Sequence, residues 1–113
     1  MIPTISILTL TVLASATVAA NRFVTALGAY PAAGGSAHGV TRSSGVSGDL
    51  LPVDVMGTTE VESGGVVTAG SVVMVDATGR VVDQTSTNVK VGRALTGAAA
   101  AGTPVEVFLF PNG

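Results

Sequence analysis

Nowhere in this chain do apolar residues recur every three to four positions for long enough to give a helix a buried stripe. What recurs is alternation. Leu8-Thr9-Leu10-Thr11-Val12 puts apolar and polar side chains on opposite faces of an extended strand, with β-branched residues at three of its five positions. Further short strands are expected over residues 22–27, 38–43, 49–56, 57–62, 71–75, 80–83, 89–95 and 105–110. Gly- and Ala-rich turns separate them. Asp76-Ala77-Thr78-Gly79 opens on Asp and closes on Gly, the chemistry of a hairpin connection. Pro31 and the pair Gly34-Gly35 make residues 30–37 a loop. Only Thr96 to Gly102 has helical potential, and its two glycines limit that to about one or two turns. The expected class is all-β.

Residues 5–20 carry no charge, so a leader peptide or a membrane anchor has to be weighed. A secretory leader begins with positive charge, and Met1-Ile2-Pro3-Thr4 offers none. Ser6, Thr9, Thr11, Ser15 and Thr17 interrupt the apolar run, and Asn21-Arg22 ends it short of the roughly 20 residues a spanning helix needs. The stretch therefore reads as a strand of the fold. No cleaved leader and folding where the chain is made are the corresponding expectations.

Two halves of the chain echo each other. Val18-Ala19-Ala20-Asn21-Arg22-Phe23-Val24 matches Val67-Thr68-Ala69-Gly70-Ser71-Val72-Val73: a valine, two small residues, a turn residue, then a strand. Gly39-Val40-Thr41 precedes Pro52-Val53-Asp54-Val55 as Gly92-Arg93-Ala94 precedes Pro104-Val105-Glu106-Val107, with a longer spacer in the first half. This gives two pseudo-repeats over residues 15–56 and 64–108, after an N-terminal arm or strand over residues 1–14. Each half is too small to bury an apolar face alone, so the two are expected to close into one small β-sandwich or β-barrel domain over residues 1–113. In both Pro-Val-acid-Val runs the valines are expected on one face and the acid on the other.

The composition excludes several functions. Five basic residues (Arg22, Arg42, Arg80, Lys90, Arg93) in a chain of net charge −2 are too few and too scattered for a nucleic-acid face. There is no cysteine, hence neither a disulfide framework nor a thiolate metal site, and a lone His38 rules out a His-rich one. Ser36, Ser43, Ser44 and Ser47 surround His38 but none stands in a strand-turn-helix elbow that would expose a nucleophile. Glu60 and Glu62 share a strand face and read as a solvated surface that discourages edge-to-edge aggregation. Phe23 and one of Phe108 and Phe110 are expected in the core. No catalytic, cofactor or metal residue is assigned, and no amphipathic helix for a membrane surface is present. With 11% charged and 47% apolar residues, much of the surface is expected to be covered by other molecules.

The order ILTLTV, ATVAANRFVTALG, a Gly-Asp-x-x-x-Val-x-Val strand, VVTAGSVVMVDATGRVV and NVKVGRALTGAAAAGTPVEVFLF resembles the small capsid cement or decoration proteins of tailed bacteriophages. The likeness spans nearly the whole chain and is clearest over residues 66–110. Gly70, Asp76, Gly79, Gly92 and Gly102 are read as structural turn positions, with Val81, Ala94, Leu95, Val105 and Val107 as further family-like positions. Residues 29–48 are longer and richer in Gly and Ser than the resemblance leads one to expect. The resemblance implies a non-enzymatic virion protein, without cofactor, bound to the outside of the head where major capsid subunits meet. Its implied partners are the major capsid protein and copies of itself, a trimer favoured with a dimer as alternative, and neither nucleic acid nor membrane. Ile5, Ile7, Leu8, Leu10 and Val12 form a candidate arm that contacts a neighbour by strand addition. A secreted or surface-displayed adhesin- or pilin-like module and a phage fibre component share the composition. The first of these requires the opening stretch to be cleaved, which an intact mass reads directly.

Overall fold

The computed structural model describes residues 5–85 and 88–110, and these contain eight β-strands and no helix. The strands are β1 (Ile5–Leu13), β2 (Phe23–Val24), β3 (Gly39–Thr41), β4 (Leu50–Glu62), β5 (Val72–Val75), β6 (Val81–Asp83), β7 (Gly92–Ala94) and β8 (Pro104–Leu109). Their order in the sheet is β2-β3-β4-β8-β7-β5-β6, every neighbouring pair antiparallel, with β1 on the other edge of β4. The sheet curls until its ends meet. Ser63, just beyond β4, bridges Val81 of β6, and the Phe23 N–H of β2 donates to the Gly79 carbonyl at 2.7 Å. The result is a nearly closed barrel.

The two halves repeat each other in their hydrogen bonds as well as in sequence. β2-β3-β4 and β5-β7-β8 follow the same order. Val18 and Gly45 exchange two backbone bonds, and so do Val67 and Ala98. Ala14 brackets Gly48 and Asp49 as Ser63 brackets Gly102 and Thr103. Asn21 donates to Thr41 O as Gly70 does to Ala94 O, and both donors hold positive φ, 60° and 86°. These bonds equate Gly48 with Gly102. They consequently set Val53 against Val107, two residues away from the match of the two Pro-Val runs. Proline has no N–H to lend the ladder, so its place in the strand does not fix the pairing. The turn glycines do.

Two expected strands prove to be one. Residues 49–56 and 57–62 run together as β4 because Gly57, at φ 99°, bulges the strand without ending it. The pairing with β1 shifts beside it, between Ser6 and Thr9. A Cβ on Gly57 would collide with the Ile5 carbonyl oxygen. Gly57→Ala is therefore expected to cost about 2 kcal/mol, read as a lower urea midpoint at unchanged slope. Residues 96–102 form turns and one bridge rather than a helix. Val67 pairs with Ala98 there and keeps the backbone extended.

Val61, Val73, Val75, Val81, Val91, Val105 and Val107 fill the main core with Phe23 and Val40. A smaller cluster of Val12, Ala14, Val18, Val24, Leu51 and Val53 lies under β1, with Tyr30 and Val55 packed against it. As expected, the β8 valines face the core and Glu106 faces away, yet the acids of both Pro-Val runs are buried. Neither C-terminal phenylalanine joins the core. Phe108 is exposed and Phe110 half-buried, in an edge-to-face contact at 6.0 Å. Phe108 alternates with core residues Val107 and Leu109, so the pleat turns it outward.

The Gly- and Ser-rich stretch straps the two halves together. Gly34 donates to Val75 O and accepts from Val89 N, with the Asn88 side chain packed against it. Glu62 adds an ionic tie. It pairs with Arg22 at 3.1 Å and Arg80 at 3.3 Å, so it bridges two cations while a third of its side chain stays exposed. Arg22 also donates to Thr78 O at 3.0 Å and lies over the Tyr30 ring.

Candidate functional site

β1 pairs with β4 along one edge only, and among the described residues no strand occupies its other edge. Alternation drives its formation, and the antiparallel register from Thr9↔Asp54 to Leu13↔Leu50 holds it in place. Its central tie is a buried carboxylate. Asp54, 0% exposed, accepts a hydrogen bond from Thr9 Oγ1 at 2.8 Å and another from Thr59 Oγ1 at 3.0 Å. The Arg42 guanidinium stands 3.7 Å from it, with its side chain half exposed. Asp54, Arg42, Asn21, Thr59 and Glu60 line a polar cavity of about 220 Å³.

Of the five residues assigned to the arm, Ile5, Ile7, Leu8 and Leu10 are exposed large hydrophobics. Val12 is not available to a neighbour, because it is buried in the smaller core opposite Leu51. β1 is thus anchored in the core through Val12, with exposed aliphatic side chains before it and at Leu13 after it. Leu8 and Leu10 also line a mostly apolar cavity of about 270 Å³ with Ala37, His38, Val55, Met56 and Phe110. His38 belongs to this wall. Among the described residues no hydrogen bond joins it to Ser36, Ser43, Ser44 or Ser47, so the geometry assembles no triad.

The remaining assigned positions are structural. Gly70, Gly79 and Gly102 take positive φ in turns. Asp76 Oδ1 accepts from the N–H groups of Thr78 and Arg80 and from Thr78 Oγ1, which fastens the β5–β6 hairpin. Gly92 is not a turn residue. It lies inside β7, where a Cβ would strike Val107 and the Phe108 carbonyl of β8.

A second exposed surface was not read from the sequence, because it depends on strand register. Ile5, Thr58 and Phe108 stand in one row across β1, β4 and β8. Two residues along the same face, Glu60 lies directly opposite Glu106. Exposed Leu95, whose N–H donates to Glu106 O at 2.8 Å, flanks the pair. Apolar side chains therefore border an acidic centre.

Comparison with known proteins bears on what such a surface is for. No curated protein sequence matches the chain at a significant level. Among solved structures, the chain is similar to the N base of the head fibre gp8.5 of bacteriophage phi29, with a TM-score of 0.76 at 20% identity. The alignment covers 91% of this chain and 93% of that one, a likeness of fold. A family profile described as phage cement protein matches residues 2–109. An all-β barrel, an open apolar edge and a profile match over nearly the full length agree: the chain belongs to the phage cement protein family.

Proposed function

We propose that this protein binds the outer surface of a phage head and cements contacts between major capsid subunits, as a structural and non-enzymatic component of the virion. The observation that carries the reading is β1, an edge strand with one unpaired side and five exposed aliphatic side chains, in a member of the cement family. An exposed, apolar, unpaired strand is a liability in a free protein and an asset in one that adds a strand to a neighbour. Repetition over a symmetric shell turns modest affinity per site into strong collective binding. The arm of residues 1–14 and the two repeats act in this reading as one unit on the capsid exterior, without nucleic acid or membrane as partner. Self-association is expected as a trimer ahead of a dimer.

The test is location and dependence on β1. Density for the chain is expected on the head shell of purified particles, and density confined to the tail, or none, overturns the reading. Ile7→Lys/Leu10→Lys places two charges on exposed positions of β1. Binding to heads that lack the protein is expected to weaken by on the order of 30-fold, with the melting temperature of the free protein nearly unchanged.

A fibre-base role is the second reading, favoured by the fold likeness to the phi29 head-fibre base. Both readings expect density on the head. A projection extending from each site supports the fibre base, and a flat cap bridging capsid subunits supports cementing.

A further inference from the structure

Glu106 is 9% exposed; its backbone N–H donates to Thr96 Oγ1 at 3.0 Å, and among the described residues its carboxylate makes no ion pair and accepts no hydrogen bond. Val105 and Val107 enter the core, so its carboxylate points to the outer face. Directly across the β4–β8 ladder stands Glu60, half-buried and likewise without an ion pair or side-chain hydrogen bond among the described residues. Opposed residues of an antiparallel pair place their Cβ atoms about 5 Å apart, and like charges so placed repel. The stem of Glu106 is buried and its carboxylate opens on the outer face, where among the described residues no cation of the chain pairs with it.

The chain's own cations do not answer it. Arg22 and Arg80 are held by Glu62, Arg42 stands at Asp54, and Arg93 donates to Gly70 O at 2.8 Å. Among the described residues no three acidic or histidine groups converge, so a metal ion would lack ligands here. The surroundings are those of a docking surface, with exposed Ile5, Phe108 and Leu95 bordering the pair.

We propose that the Glu60–Glu106 pair receives a basic side chain, lysine or arginine, from the shell protein, seated between these apolar anchors. The inference rests on the shell-binding reading and names the chemistry of the partner. A second copy is a poor donor, since four of the five cations it could offer are already engaged within their own chain. A shell subunit that presents one cation to this pair gains a water-excluded charge contact at the centre of an apolar rim. The acids also bias which face of the barrel turns toward the shell.

The test compares wild type with Glu60→Gln/Glu106→Gln. Losing the repulsion is expected to raise the melting temperature of the free protein by about 2–4 °C. The same change is expected to weaken binding to heads lacking the protein by on the order of tenfold or more, and to flatten its salt dependence. Glu60→Gln alone, at the half-buried position, repeats the binding loss if the double variant misfolds. Equal binding by wild type and variant overturns this inference and leaves shell binding intact. Wild type that binds no heads overturns both. A melting temperature raised by calcium chloride, reversed by EDTA and absent in the variant makes the pair a cation site and overturns the proposal. So does loss of self-association in both Lys90→Gln and the double variant, which assigns the cation to a second copy.

Discussion

Asp54→Ala is expected to lower the stability of the free protein by about 3 kcal/mol, or roughly 12–18 °C in melting temperature. Asp54 occupies the crossing of three strands, opposite Thr9 on β1 and Val40 on β3. Its carboxylate is inaccessible to water and accepts from hydroxyls on both sides of the Gly57 bulge, Thr9 on β1 and Thr59 farther along β4. Alanine removes both acceptors at once. It leaves the buried Thr59 hydroxyl without this bond and Arg42 without its carboxylate. Hydrogen bonds to a charged group contribute about 1.5–3 kcal/mol each and share one carboxylate here, so the sum is less than additive. Asp54→Asn keeps the shape and one acceptor oxygen and is expected to cost about half as much. Thermal melts of the two variants decide the point. A melting temperature for Asp54→Ala within a degree of wild type would mean that Asp54 does not fasten β1 to the barrel. Amide exchange then adds the spatial detail, since loss of protection should be largest over residues 8–12.

Phe23→Ala carries the largest expected effect, about 4 kcal/mol, with a fall of roughly 15–25 °C in melting temperature. Among the described residues Phe23 is the one aromatic side chain in the main core, 1% exposed in a cluster of valines, alanines and Leu109. Small β-branched neighbours cannot extend into the space that a phenyl ring vacates, so the cavity stays open. The position also closes the barrel, because the Phe23 N–H reaches Gly79 across the seam. β2 pairs with β3 through two residues, and the ring adds its packing to the backbone bonds that flank them. Urea unfolding should show a lower midpoint at constant slope. A midpoint change worth under about 1 kcal/mol would mean that the core closes over the deletion.

What could be read in advance was set by local chemistry. Alternation at Leu8 to Val12 reads as a strand and is one, because period two has no other common use. The echo between Val18–Val24 and Val67–Val73 survives in the hydrogen bonds because turn residues at left-handed φ, Asn21 and Gly70, impose it. What failed depends on partners distant in sequence. Gly57 reads as a break, since nothing local says that β1 will pair across it. Asp54 and Glu106 read as acids on the face opposite the valines, and only the register brings Thr9 and Thr59 to one and Glu60 to the other. Phe108 was legible in principle: Val105, Val107 and Leu109 fill the inward positions and leave it outward. Exposure along the start of β1 was legible as far as Leu10. Val12 turned inward because the same alternation that exposes the start of β1 has a core to meet at its end.

The barrel has one further consequence. Its two sheet ends meet at Ser63–Val81 and Phe23–Gly79, so among the described residues β1 presents the one long open edge. In the language of polymer chemistry the molecule is monofunctional toward strand pairing. A unit with two free edges propagates, each addition exposing a new site, and ends as a fibril. A unit with one free edge terminates the sequence at its first pairing. Such a molecule can thus keep an adhesive edge ready without growing filaments of itself.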